Sequence, residues 1–206
     1  MQQNSSAYDR MMATARQWLA GKDPVRIAAD SGVPFDPERG EFRLLSLGRE
    51  TVIRWPEYSF DTEIPEWQQI SLLHYLNLAD GSVPRGDWIS LSQMNSGMVR
   101  GGGFEKKFEA LVRTKLGNLP PKALDQAFLR MGMELQESNA DLCVRCELAP
   151  HFPVLIKIWF ADPDDDLPGS GRMFVDRTAD CYLTIEDTVL LCEYLILDRL
   201  LEELGL

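Results

Sequence analysis

The protein has 206 residues, of which 45% are hydrophobic and 9% aromatic, which is enough to form a buried core. Its formal net charge is −11, from 32 acidic and 21 basic residues, and Lys and Arg do not cluster along the chain. This balance argues against a nucleic-acid-binding surface and against binding to anionic membranes, because both need concentrated positive charge. We therefore expect no nucleic acid and no membrane among the partners.

The N-terminal sequence and the cysteine content indicate the cellular compartment in which the protein is expected. Residues Met1 to Ala7 lack the basic and apolar regions of a signal peptide, and the apolar run near the C-terminus is interrupted by Glu193 and Asp198. Four cysteines without a secretion signal are typical of reduced thiols in a packed interior. These features predict a cytoplasmic location.

Two helices are predicted in an N-terminal arm, about residues 6–32. Apolar residues recur at helical spacing from Ser6 to Ala20. Asp23 and Pro24 then provide an N-cap and a proline in the first turn, so a short second helix should end at Gly32.

The most hydrophobic helical segment covers residues 65–79. Its apolar residues leave only a narrow polar strip, so this helix should be covered on most sides. Pro65 and Glu66 are typical of the first turn of a helix. We predict that this segment is the central buried helix.

Strand patterns occur on both sides of the central helix. Residues 42–47 and 50–55 flank Gly48-Arg49 and predict a hairpin, and 88–91 is a short β-prone run. Residues 142–148 and 154–160 should pair antiparallel, with a third strand at 172–176. Helices are predicted at 104–116 and 120–132, and after the capping box Thr184-Ile-Glu-Asp187. The predicted fold is one α+β domain over residues 1–206, in which an antiparallel sheet with strands from both halves packs with helices around the buried central helix.

Motifs spread over most of the chain follow one collinear order. They are Gly32-Val-Pro-Phe-Asp36, Leu47-Gly-Arg-Glu50, Leu72-Leu-His-Tyr-Leu76 with Asp80-Gly81, Trp88-Ile-Ser90, Trp159, Asp162-Pro-Asp-Asp-Asp166, Phe174-Val-Asp176 and Leu183 to Asp187. In these motifs the chain resembles the bacterial and archaeal family called domain of unknown function 3786. The resemblance implies no particular activity. The resemblance also implies that some relatives carry an added cysteine-rich iron–sulfur segment, which residues 1–206 do not contain. Leu167 stands where the family pattern has phenylalanine.

A glycine-rich stretch, Ser96 to Gly103, precedes the predicted helix at 104–116. Glycines allow the backbone to approach a ligand, and a helix N-terminus supplies unpaired amides with positive potential. The stretch is suited to a loop that accepts a phosphate or carboxylate, and a flexible surface loop without a ligand is the other interpretation. The candidate ligand-binding residues here are Gly97, Arg100, Gly101, Gly102, Gly103 and Lys106.

His74, in the middle of the central helix, completes the set of candidate binding residues. No glutamate or second histidine lies at helical spacing from it to form a chelating pair. A neutral histidine hydrogen-bonded to a backbone group or carboxylate, an axial ligand of a tetrapyrrole and a catalytic base all remain open.

Two further motifs favour structural interpretations. Cys143 and Cys146 have the spacing of zinc and redox motifs, but on a strand they would point to opposite faces. The aspartates at 162, 164 and 166 begin like a calcium loop, yet Leu167 and Met173 replace its required glycine and glutamate. We predict no metal site, and an acidic hairpin tip that is solvated or faces a basic partner.

Two functional classes follow. The first is a non-enzymatic binding or accessory protein that holds an anionic small molecule or cofactor at Gly97–Gly103, with His74 on the wall. The second is an interaction module that presents the acidic tip to a basic protein and has no ligand. Neither the cofactor nor any reaction is specified, because no complete catalytic constellation is present in the sequence.

Overall fold

The structure, a computed structural model, describes the backbone of residues 2–206 and the side chains from residue 7 onward; Met1 lies outside it. The helices are α1 (Gln2–Leu19), α2 (Pro24–Ser31), α3 (Glu66–Leu78), α4 (Gly97–Thr114), α5 (Pro121–Arg130), α6 (Ile185–Leu190) and α7 (Asp198–Leu204). The strands are β1 (Phe35–Asp36), β2 (Glu41–Ser46), β3 (Arg49–Arg54), β4 (Ser59–Phe60), β5 (Trp88–Ser90), β6 (Glu134–Leu135), β7 (Leu142–Glu147), β8 (Pro153–Trp159) and β9 (Ser170–Asp176). The predicted α+β class is confirmed.

The strands form two antiparallel sheets rather than the single sheet that was predicted. The first has the order β1-β2-β3-β4 and contains the predicted hairpin. The second has the order β5-β9-β8-β7-β6, and its central strands β7 and β8 pair as expected, with Val144 opposite Ile156. The strand predictions are therefore correct locally. The second sheet combines strands from both halves of the chain, as predicted, but the β2–β3 hairpin belongs to a separate sheet.

Helix α3 is central and buried, as predicted. Ile70, Leu72, Leu73, Tyr75 and Leu76 are all buried, and α1, α2 and the C-terminal helical region contact α3. Glu66 and Trp67 in its first turn and Leu78 at its end are exposed. Across residues 2–206, no helix is both long and apolar enough to cross a membrane.

The tip of the β2–β3 hairpin joins the two sheets. The turn residues are Leu47 and Gly48, with φ of 48° and 79°, so the turn lies one residue earlier than the predicted Gly48-Arg49. Leu47 N donates to the carbonyl of Glu147 in β7 over 2.8 Å. A Cβ added to Gly48 would lie 2.9 Å from the Cα of Gly132, in the turn that precedes β6, so a side chain here would push the hairpin tip away from that turn.

The C-terminal helical region begins at the predicted capping box. The Thr184 hydroxyl and the Asp187 carboxylate each accept the other residue's backbone N–H, which fixes the start of α6. Helix α6 continues into a π-helical segment, Leu191–Leu197, and then into α7. The four thiols are free; Cys143, Cys146 and Cys192 are buried and Cys181 is half-buried, so the predicted shielding is confirmed.

Candidate functional site

The glycine-rich stretch is helical, so the predicted loop is wrong. Helix α4 begins at Gly97 rather than at Phe104, and Ser96, with φ of 59°, precedes it. A Cβ added to Gly101 would lie 2.5 Å from the carbonyl oxygen of Leu91, and one at Gly97 would meet the same oxygen. These two glycines therefore allow α4 to pack directly against the 3-10 turn at Leu91–Gln93, which explains their presence without a ligand.

Gly102 and Lys106 line a cavity of about 510 Å³ between α4 and β9, whereas an added Cβ at Gly103 would meet open space. Two carboxylates, Glu105 and Glu109, border the same cavity. They accept backbone N–H groups of the neighbouring 3-10 turn and of β9. Positive and negative charges are thus mixed here, and anion binding by Lys106 and the glycines stays a prediction.

Glu186 connects Arg100 to a groove that contains His74. Nε of Arg100 donates to Glu186 Oε2 over 3.1 Å, and both side chains are exposed. Of the two predicted residues, His74 lines the groove, and Arg100 contacts Glu186, which also lines it.

This groove, of about 580 Å³, lies between α1, α3 and α6. Its apolar wall is formed by Met11, Trp18, Leu78 and Leu190. Trp18 is 50% exposed and Leu78 is 41% exposed. Large apolar side chains that line a concavity and remain exposed to water are typical of a binding surface.

His74 and Asp187 form a hydrogen-bonded pair within the groove. Nδ1 of His74 lies 2.7 Å from Oδ1 of Asp187, and both side chains are largely buried. An ionised carboxylate only accepts hydrogen bonds, so Nδ1 carries the proton and donates it to Asp187. Among residues 7–206 no group hydrogen-bonds Nε2, which leaves this nitrogen available to a ligand. The Trp18 ring lies 5.4 Å from the imidazole, centroid to centroid.

Asp187 is held in its charged form. Burial alone would raise the pKa of this carboxyl, but the hydrogen bond and charge of His74, with hydrogen bonds from Thr184, outweigh burial and hold its pKa below the usual range. Thr184 Oγ1 donates to Asp187 Oδ2 over 2.7 Å. The capping box thus orients the carboxylate that orients His74.

Asp187 is the functional residue that the sequence analysis did not assign to the site. It stands 113 positions from His74, beyond any local pattern. The capping box identified its backbone role, but no sequence signal connected the carboxylate to the histidine.

His151, the other histidine, is held in place by contacts with two tyrosine side chains. Its Nδ1 lies 3.0 Å from the hydroxyl of Tyr182, which donates to the carbonyl of Ser82. Its backbone N–H donates to the hydroxyl of Tyr75, and a Cβ added to Gly32 would lie 2.7 Å from its Nε2. Both edges of the imidazole are therefore enclosed by protein, unlike Nε2 of His74.

The predicted acidic tip is exposed. Residues 162–166 form the turn between β8 and β9, and Oδ1 of Asp162 accepts the backbone N–H of Asp164 over 3.0 Å. In the part of the chain that the structure describes, no group of three or more His, Cys, Asp and Glu side chains is arranged to hold a metal ion.

Comparison with known proteins identifies the family of the chain but does not identify an activity. No significant match was found among curated proteins or among solved structures. One family model, described as Domain of unknown function (DUF3786), matches residues 23–198, which include α3, the groove residues on α3 and α6, and both sheets. The match covers most of the 206 residues, and the chain belongs to the family of domain of unknown function 3786.

Proposed function

We propose that the protein is a non-enzymatic binding or accessory protein, and that the groove between α1, α3 and α6 holds a small molecule or cofactor with an apolar body and an acidic group. The observation that carries this proposal is the His74–Asp187 pair, which lies beside the apolar side chains of Trp18, Leu78 and Leu190. Nε2 of His74 is free of hydrogen bonds among residues 7–206.

The dimensions and the wall suit such a molecule. A volume of about 580 Å³ lies within the roughly 300–1,000 Å³ of small-molecule sites. Trp18 and Leu78 offer apolar surface whose burial by a ligand releases ordered water. Because Asp187 fixes the imidazole, His74 meets a ligand without losing rotational freedom on binding.

Arg100 supplies the charge for the acidic group. Its pair with Glu186 joins two exposed side chains, and such pairs contribute at most about 1 kcal/mol. A ligand carboxylate or phosphate at the rim replaces Glu186 as the partner of Arg100. His74 then binds a polar group of the ligand deeper in the groove.

Binding fits this geometry better than catalysis. The hydroxyl that lines the groove, Thr184 Oγ1, donates to Asp187 and accepts the Asp187 backbone N–H. It is therefore occupied by the capping box and is not poised beside Nε2 of His74 as a nucleophile would be.

The test uses anilinonaphthalene sulfonate, a fluorescent probe with an apolar body and an acidic group. We expect saturable binding that His74→Gln weakens by about tenfold, the loss of one good hydrogen bond. Leu78→Glu should abolish binding, whereas the matched control Leu129→Glu, on an exposed position of α5 that is 52% accessible, should bind like the wild type. Equal binding by the two glutamate variants would refute the groove as the site.

A second candidate is an interaction module that uses the acidic tip. Residues 162–166 are all exposed, and Asp164, Asp165 and Asp166 form no ion pair within residues 7–206. Three unpaired carboxylates attract a basic partner through long-range forces that salt screens. Replacing the three by asparagine should remove a salt-sensitive association with basic proteins from the host; retention of every partner by that variant would argue against this function.

A further inference from the structure

Two arginines face one pocket that no part of the proposed function uses. The pocket, of about 430 Å³, lies between the β2–β3 hairpin, the start of α3 and α7. Its lining residues are Arg49, Pro65, Gln68, Arg199, Glu202 and Glu203. The fixed hairpin tip places Arg49 at one wall, and α7 places Arg199 at another.

The guanidinium groups of these arginines have no hydrogen-bond or ion-pair partner among the side chains that the structure describes. Neither Arg49 nor Arg199 donates a side-chain hydrogen bond or forms an ion pair within residues 7–206. Of the two nearby carboxylates, Glu203 is bound by Arg130, with Nε to Oε2 at 2.8 Å. Glu202 is exposed and makes no ion pair in the same part of the chain.

Arg199 is affected both by burial and by a neighbouring like charge. Its side chain is half-buried, and burial, followed by the positive charge of Arg49, holds the pKa of the guanidinium below its usual range despite Glu202 and Glu203. Two like charges that share a pocket repel each other and lose hydration. A bound anion would reverse both effects.

We propose that Arg49 and Arg199 form a binding site for a small dianion, a compound with a phosphate group or two carboxylates. Guanidinium groups bind such oxyanions through paired N–H donors, and two of them neutralise two negative charges. The start of α3, where Pro65 provides no side-chain cap, adds the positive end of a helix dipole at the pocket wall. The volume leaves room for a body beyond the charged group.

This site is separate from the groove. It uses β3, α7 and the beginning of α3, whereas the groove uses α1, α6 and the end of α3. The two sites are therefore tested independently, and loss of one proposal leaves the other intact.

The experiment titrates the whole chain with inorganic phosphate and with succinate, by calorimetry and by the shift of the melting temperature. We expect saturable binding of at least one of them, and the tighter one identifies the chemical class. Arg49→Gln and Arg199→Gln should each weaken it by about tenfold or more, the contribution of one charge-assisted interaction. Arg113→Gln, which removes an exposed arginine of α4 with no ion pair in residues 7–206, is the control for net charge and should bind like the wild type.

Two results would overturn the proposal. One is the absence of saturable binding of both anions by the wild type. The other is unchanged binding by Arg49→Gln, the variant chosen because Arg49 is exposed and its replacement should leave the fold intact. Without ligand, Arg49→Gln should melt no lower than the wild type, because the substitution removes repulsion with Arg199.

Discussion

Replacing Gly101 by alanine should destabilise the protein, whereas replacing Gly103 should stabilise it. Both residues lie in the first turns of α4, so alanine improves helix propensity at either position. They differ in what a methyl group would contact. At Gly103 it meets no atom within 4 Å, and at Gly101 it lies 2.5 Å from the backbone of Leu91 and 2.8 Å from Ser92 N.

The magnitudes follow from these contacts. Gly103→Ala should gain about 0.5–1 kcal/mol, the usual difference between glycine and alanine inside a helix. Gly101→Ala has the same gain, but its methyl group clashes with backbone atoms that cannot rotate away. Overpacking of this kind costs up to about 3 kcal/mol, which leaves a net loss of up to about 2 kcal/mol.

Urea unfolding and thermal melting would measure both variants. At about 2–4 °C per kcal/mol for a chain of this size, Gly103→Ala should melt up to about 4 °C higher and Gly101→Ala up to about 8 °C lower. Gly102→Ala is a second control. Its methyl group would lie 3.9 Å from Ser92 Cβ, an ordinary van der Waals contact, so this variant should melt like Gly103→Ala. If Gly101→Ala and Gly103→Ala shift stability in the same direction, the close packing of α4 against Leu91–Gln93 is refuted.

Two more predictions concern α3 and the His74–Asp187 pair. Leu73→Ala should lower the free energy of unfolding by about 2–5 kcal/mol, because Leu73 is fully buried. Leu78→Ala, at the exposed end of the same helix, should lower it much less. Equal midpoints of urea unfolding for the two variants would contradict the central position of α3. The pKa of Asp187 is lower in the folded protein than in the unfolded chain, so its stabilisation is complete above about pH 5 and is lost as the pH falls below about 4 towards the folded pKa. Asp187→Asn should therefore reduce the pH dependence of the unfolding free energy in that acidic range, and an unchanged dependence in urea titrations at stepped pH would count against the pair.

The local elements of the fold follow from the sequence. The alternation at Leu142, Val144 and Cys146 identifies β7 because side chains on a strand alternate between faces, and the Thr184 capping box identifies the start of α6. The division into two sheets cannot be predicted from such local patterns. It depends on pairings such as Ile89 with Val175, which bring together distant parts of the chain.

The candidate site was predicted only in part, for two physical reasons. Glycine has a low intrinsic helix propensity, so the run from Gly101 to Gly103 suggested a loop, but tertiary packing against Leu91 outweighs that propensity. His74 was identified as a candidate by its polarity within an apolar helix. Its partner Asp187 belongs to another helix, and only the packing of α3 near α6 brings the two together.

The contact between Gly48 and Gly132 determines where additional residues can be inserted into the chain without disturbing the fold. The tip of a hairpin is ordinarily a good position for an inserted tag or a new terminus, because it projects into solvent. Here the β2–β3 tip lies against the turn at Gly132 that precedes β6, and Leu47 is hydrogen-bonded to Glu147 of the second sheet. The turn between β8 and β9, exposed throughout residues 162–168, is the hairpin at which a reporter domain or a circular permutation leaves the join between the sheets undisturbed.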